Sequence, residues 1–184
     1  MEITAQIPEP KLSRLLFADT RFSWIWLIIR LYVGYEWLAA GWGKFVNPAW
    51  VGGEAGTAIT GFFNGAIAKA GGAHPAVSDW YSSFLSSVAL PNATFFSYLI
   101  TYGEILVGIA LILGIFTGIA AFSGAFMNLN FLFAGTTSTN PLLALLGLLL
   151  ILAWRNAGWL GLDRWVLPKL GTPWHKGELF TQKT

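Results

Sequence analysis

Apolar residues dominate four windows of the chain, at about 23 to 45, 94 to 116, 118 to 134 and 141 to 157. A helix needs about 20 residues to cross the ~30 Å hydrocarbon core of a bilayer, and each window reaches or approaches that length. The pattern therefore predicts an all-α integral membrane protein, built as one bundle of four transmembrane helices. Because the first window carries Arg30 and Glu36 and no Ala-x-Ala-like site follows it, we expect it to stay in the mature chain.

A long connection, about 47 to 93, separates the first two windows. Apolar residues recur with helical spacing from Ile59 to Ala66 and again from Val77 to Val88. Two short amphipathic helices are therefore predicted in this loop. Their apolar faces either lie on the outer leaflet, which the hydrophobic pattern favours, or close over the outer mouth of the bundle.

Basic residues are concentrated near the two ends of the chain, which is 55% hydrophobic, 11% charged and of mean hydropathy +0.59. Cytoplasmic segments of membrane proteins are rich in Lys and Arg, so both tails, 1 to 22 and 158 to 184, are predicted to be cytoplasmic and 47 to 93 external. No nucleic-acid partner is expected, because no basic cluster alternates with exposed aromatic residues. The basic residues near the two ends are Lys11, Arg14, Arg21, Arg155, Arg164, Lys169, Lys176 and Lys183.

Polar side chains interrupt three of the windows at similar predicted depths. At about 1.5 Å per residue, Glu36 lies near the middle of the first span and Glu104 at nearly the same depth in the antiparallel second span. Asn128 and Asn130, in the third span, come slightly further outward. An ionised carboxylate at mid-membrane costs about 3 kcal/mol, so both carboxylates should be paired, hydrogen-bonded or protonated. Arg30 is the nearest candidate partner.

Two stripes of small and polar residues predict which helix faces meet inside the bundle. The stripe on the second span turns Glu104 inward, where we expect it to contact Arg30, Glu36, Tyr102 or Asn128. The stripes consist of Thr94, Ser97, Thr101, Glu104 and Gly108 on the second span, and of Arg30, Gly34, Trp37, Gly41 and Lys44 on the first.

Polar groups that converge from three spans have two interpretations. They form a site for a polar-headed ligand, which the convergence favours, or they simply join helices. Lys44, at the outer end of the first span, either extends its ammonium to the interface, the favoured interpretation, or binds a substrate anion. The backbone amides around VNPAWVGG and GTTSTNP are further candidates for anion binding.

The chain has no cysteine, and its two histidines, His74 and His175, lie outside the four windows. The sequence therefore contains no motif for an iron–sulfur cluster, a thiolate metal site or an intramembrane bis-histidine haem. It also lacks the glycine-rich fingerprints of nucleotide and flavin binding. Any redox cofactor is expected to be a diffusible molecule or to reside in a partner.

Three stretches resemble the DoxX/DoxD family: RLYVGYEWLAAGWGKFVNPAWVGG (30 to 53), YGEILVGIALILGIFTGIAAFSGAFMNLNFLFAGTTSTNP (102 to 141) and AWRNAGWLGLDRWVLP (153 to 168). The shared elements are an Arg-Leu opening and a Gly-x-x-Lys close in the first span, Glu-x-x-x-Gly in the second, Asn in the third, and Gly-Leu-Asp after the fourth. The resemblance implies a four-helix protein of the prokaryotic plasma (inner) membrane.

The resemblance also implies a function, because the family's named activity is that of a thiosulfate:quinone oxidoreductase. That enzyme joins two thiosulfates to tetrathionate, passes two electrons to membrane quinone and includes a second subunit. The alternative is a non-catalytic membrane anchor of a larger redox or respiratory complex. A carrier or lipid-binding protein ranks last, since the halves show no clear inverted repeat. A quinone-linked site would use Glu104, Glu36 and Arg30 as catalytic groups, Asn128, Asn130, Tyr102 and Trp37 as quinone contacts, and Lys44 for the substrate anion.

Overall fold

The computed structural model describes residues 9 to 172, and all regular secondary structure in this part of the chain is helical. The predicted tails extend into residues 1 to 8 and 173 to 184, which include His175, Lys176 and Lys183 and lie outside the described residues. The helices are α1 (Lys11–Ala18), α2 (Ser23–Phe45), α3 (Thr57–Ala68), α4 (Asp79–Phe84), α5 (Ala93–Leu113), α6 (Thr117–Phe133), α7 (Asn140–Leu152), α8 (Trp154–Ala157) and α9 (Asp163–Val166).

The four long helices, α2, α5, α6 and α7, correspond to the four apolar windows. α2 packs against α5 and α7, and α6 packs against α5 and α7, so the four close into a bundle. α2 has the predicted bounds, whereas α7 ends at Leu152, five residues before the end of the predicted window. The all-helical fold predicted from the hydrophobic pattern is thus confirmed.

One helical segment in residues 9 to 172 is both long and apolar enough to cross a membrane: Asp79–Leu113, with 35 residues and a mean hydropathy of 1.9 in its most apolar part. Arg30 and Glu36 lower the hydropathy of α2. The apolar helices α6 and α7 have 17 and 13 residues, which is shorter than a typical span. Length and hydropathy therefore establish one candidate span rather than the four predicted.

Large apolar side chains cover the outward faces of all four long helices. Ile28 of α2 is 61% exposed, Leu106 of α5 65%, Phe122 of α6 62% and Leu145 of α7 56%. Soluble monomers rarely expose apolar surface over so large an area, and such surface is typical of contact with lipid.

The predicted second loop helix and the second predicted span form one continuous helical segment. α4 passes through a π-helical turn (Leu85–Ala89) and a 3-10 turn (Leu90–Asn92) into α5. Pro91, which lacks a backbone N–H, lies in the 3-10 turn, where the α-helical hydrogen-bond pattern is already interrupted. The chain therefore passes Pro91 without ending the helix.

α3 closes one end of the bundle, called here the α3 end. Its residues Ile59, Phe63 and Ala66 are buried against Leu85 and other residues of the Asp79–Leu113 segment. Of the two arrangements that the sequence leaves open for this helix, the structure has the one in which it covers the mouth of the bundle.

Candidate functional site

Gly41 of α2 lets α2 and α5 approach closely at the depth of Glu104. A Cβ atom at Gly41 would lie 2.8 Å from the backbone nitrogen of Ile105 and 3.0 Å from Cβ of Glu104. Glu104 is therefore level with Gly41 rather than with Glu36, about one and a half turns away. The depth that the apolar window predicts for Glu104 is wrong, because the helix that carries Glu104 continues outward to Asp79.

Lys44 and Glu104 form an ion pair between α2 and α5. Nζ of Lys44 lies 2.7 Å from Oε2 of Glu104, and the two side chains are 20% and 2% exposed. Nζ also lies 5.2 Å from the centre of the Trp50 ring, within cation–π distance. Lys44 thus points into the bundle, in contrast to the interfacial orientation that the sequence favoured.

Asn128 of α6 is fully buried, and neither side-chain amide atom has a hydrogen-bond partner among the described residues. An unsatisfied buried polar group costs about 1–3 kcal/mol, and such groups in native proteins generally meet water or a ligand. Asn128 therefore offers two donor hydrogens and an acceptor oxygen inside the bundle.

A cavity of about 310 Å³, called here the polar cavity, brings these groups together. Glu36, Trp37 and Lys44 line it from α2, Glu104 from α5 and Asn128 from α6. It is also lined by Trp50, Ile59, Phe62, Ile100, Phe131, Thr136, Ser138, Thr139, Asn140 and Leu143. The predicted convergence of polar groups from three helices is thus present in the structure.

Arg30 lies away from this cavity, and the expectation that it pairs with Glu36 or Glu104 is wrong. Its Nη2 donates a hydrogen bond to the carbonyl oxygen of Leu160 (3.1 Å), and its guanidinium packs against Gly114 and Gly161 at the end of the bundle opposite α3. Helical side chains lean toward the N-terminus of their own helix, so Arg30 leans away from both carboxylates.

Two of the predicted quinone contacts also lie outside the polar cavity. Tyr102 is 43% exposed and stacks on Tyr98, with ring centres 6.1 Å apart. The side-chain and backbone oxygens of Asn130 lie 3.3 and 3.0 Å from the hydroxyl of Tyr81. Each lies two positions from a cavity residue, and positions i and i+2 of a helix do not face the same side.

Several cavity residues carried no functional signal in the sequence. Ile59 and Phe62 belong to α3, whose apolar pattern is the same for a helix on a lipid surface and for one that covers the bundle. The polar stretch GTTSTNP is a sequence-predicted candidate for anion binding through its backbone amides, and in the structure its residues Thr136, Ser138 and Thr139 line the cavity.

Residues 25 to 137, more than half of the chain, match the DoxX family model. The chain belongs to the DoxX family. The resemblance in the sequence motifs is thereby confirmed, and the chain is a helical membrane protein. The matched range contains Glu36, Trp37, Lys44, Glu104 and Asn128 of the polar cavity. No curated protein and no solved structure matches this DoxX chain.

Proposed function

We propose that this DoxX-family chain is the quinone-binding membrane subunit of an oxidoreductase, with the quinone head group in the polar cavity. Asn128 supports the proposal most directly, because it is one of the residues that line the cavity and its buried amide has no hydrogen-bond partner among the described residues. A quinone ring presents carbonyl oxygens that accept hydrogen bonds, and the Asn128 N–H groups can donate to one of them. A volume of about 310 Å³ lies at the lower end of the ~300–1,000 Å³ of small-molecule sites and suits a single substituted ring.

Charge in the cavity favours a neutral ligand over an anion. Glu36 and Glu104 contribute two carboxylates, and the single ammonium, that of Lys44, is already bonded to Glu104. A sulfur dianion would meet little uncompensated positive charge there. We therefore place the oxidation of thiosulfate, or of a similar sulfur anion, in a second subunit. Reduction of a bound quinone to its quinol would consume the two electrons released there and two protons from the aqueous phase. Lys44 donates a hydrogen bond to Glu104, and this pair would hold one such proton at the cavity wall.

The proposed subunit crosses a prokaryotic plasma membrane four times, with both termini in the cytoplasm. The apolar outward faces of α2, α5, α6 and α7 support four crossings. The distribution of Lys and Arg supports the orientation. Residues 47 to 93, including α3, would then lie on the external side, above the polar cavity.

A non-catalytic membrane anchor is the second candidate. The observation that favours it is the direct Lys44–Glu104 pair, which connects α2 with α5 without any ligand. Under this hypothesis the polar cavity contains water, and the chain serves to hold a soluble redox partner at the membrane.

Quinone binding to the full-length protein in lipid nanodiscs distinguishes the two candidates. The probe is a tailless dimethoxy-methyl-benzoquinone, titrated by calorimetry into wild type and into Asn128→Leu. Asn130→Leu is the matched control, because it makes the same change two residues away outside the polar cavity. We expect Asn128→Leu to weaken binding about tenfold, the effect of one lost hydrogen bond, and Asn130→Leu to leave it unchanged. Absence of binding to wild type would favour the anchor.

A further inference from the structure

A second cavity, of about 480 Å³, lies beside the polar one between α3, the Asp79–Leu113 segment and α6. We call it the apolar cavity, because aromatic and aliphatic side chains form nearly all of its wall. Phenylalanine predominates, with Phe63, Phe84, Phe96, Phe122 and Phe126 among the lining residues. A volume of this size is ample for a small molecule or for part of a larger one.

Three side chains of the apolar cavity are polar: Ser123 contributes one hydroxyl, and Tyr81 and Asn130 use their hydrogen-bonding groups within the protein. The hydroxyl of Tyr81 donates to the backbone oxygen of Asn130 (3.0 Å), and Nδ2 of Asn130 donates to the carbonyl oxygen of Phe126 (2.8 Å). This differs from the polar cavity, where the amide of Asn128 is unpartnered. The apolar cavity therefore suits hydrocarbon, since a polar ligand would lose hydrogen bonds to water without gaining equivalent ones.

The two cavities adjoin each other. Phe62, Ile100 and Phe131 line both cavities, so a ligand that occupies both would pass beside these three side chains. On its other side the apolar cavity reaches the apolar outer surface, where its lining residues Leu99 and Phe126 are 52% and 59% exposed. From the outside inward, the order is therefore the apolar outer surface, the apolar cavity and the polar cavity.

We propose that the apolar cavity binds the hydrocarbon tail of the ligand whose head group occupies the polar cavity. This inference rests on the proposed function and specifies its ligand as an amphiphile, a tailed quinone, that enters from the lipid. A polar head joined to a flexible apolar chain matches the chemistry of both cavities. A small sulfur anion matches neither cavity, because one is apolar and the other contains more acidic than basic groups.

The test compares two benzoquinones with the same ring, one tailless and one with a ten-carbon tail, on the full-length protein in nanodiscs. Partition into protein-free nanodiscs is measured and subtracted. Ser123→Trp fills the apolar cavity from α6, and Ala89→Leu fills it from the π-helical turn. Leu145→Trp is the control, because it adds a large side chain to a 56% exposed position on α7.

In wild type and in Leu145→Trp, we expect the tail to tighten binding about threefold beyond its partition into lipid, because a close-packed cavity wall gives the tail more van der Waals contacts than fluid lipid does. At least one filling variant should lose most of this gain and bind the tailless ring as wild type does, which also shows that it is folded. An equal gain in wild type and both filling variants would overturn the inference but leave the proposed function intact. Release of a co-purified phospholipid by the filling variants, with the tail effect unchanged, would likewise overturn it. Failure of either quinone to bind wild type would overturn both.

Discussion

Lys44 of α2 and Glu104 of α5 lean toward each other from antiparallel helices, which brings Nζ within 2.7 Å of Oε2. Each side chain leans toward the N-terminus of its own helix. For Lys44 this direction is toward the middle of the bundle, and for Glu104 it is toward the α3 end. The same rule directs Arg30 away from the carboxylates, and Lys44, close in sequence to Gly41, is the basic residue of α2 that lies nearest the level of Glu104.

Loss of one member of this pair should destabilise the protein more than loss of both. Glu104→Leu leaves the Lys44 ammonium largely buried without its partner, and we expect a loss of about 3 kcal/mol in the free energy of unfolding. The double variant Lys44→Leu/Glu104→Leu should recover most of this loss. Denaturant unfolding of the two single variants and the double variant in one detergent provides the measurement. If the single losses simply add, the two residues are not coupled.

Alanine at Gly41 and at Gly43 should have opposite effects, although both lie in α2. A Cβ atom at Gly41 would meet Ile105 at 2.8 Å, whereas a Cβ atom at Gly43 has nothing within 4 Å. We expect Gly41→Ala to cost about 1–3 kcal/mol through overpacking. Gly43→Ala should stabilise by about 0.5–1 kcal/mol, because alanine is the better helix former. Equal thermal midpoints for the two variants would contradict the close approach of α2 and α5.

Asn128→Leu should make the protein more stable while it weakens quinone binding. The substitution removes two buried polar atoms that have no protein partner, each of which costs about 1–3 kcal/mol. We expect a gain of about 1–2 kcal/mol in ligand-free protein, measured by thermal unfolding. A loss of stability would show instead that Asn128 forms hydrogen bonds that hold α6 in place.

Single-cysteine labelling can establish the orientation of the chain in the membrane. The sequence has no cysteine, so each introduced thiol reports from one position. Asn64→Cys, on an exposed face of α3, should react with an impermeant maleimide added outside intact cells. Arg14→Cys, on α1, should react only after the membrane is opened. Labelling of residue 64 from the cytoplasmic side alone would exclude the proposed topology.

The sequence predicted the existence of the four long helices because each is apolar over most of its length, whereas the end of α7 and the continuation of α5 back to Asp79 were not predicted. Most of the stripe on the second span was also predicted correctly: Ser97, Thr101, Glu104 and Gly108 are buried, whereas Thr94, near the outer end of α5, is exposed. A 3-4 spacing of small and polar residues on an apolar helix contains this information directly, since a polar group is unfavourable in lipid.

The partners of the charged residues Arg30, Lys44 and Glu104 could not be predicted from the spacing of residues in the sequence. Pairing depends on the axial offset between α2 and α5, which Gly41 and Gly108 set through close packing. An apolar window fixes this offset only to within a turn or two. The part of the cavity wall that α3 forms could not be predicted either, because Ile59 and Phe62 would be apolar whether α3 lay on a lipid surface or on a protein surface.

The continuity of the Asp79–Leu113 segment restricts how the length of this protein can vary. A loop between helices absorbs an added or deleted residue, but a continuous helix turns by about 100° for each one. Deletion of Phe95, in the regular part of α5, would therefore rotate Glu104 relative to Tyr81 by more than a quarter turn. Insertions and deletions should be tolerated at 71 to 74, between α3 and α4, and excluded from α5.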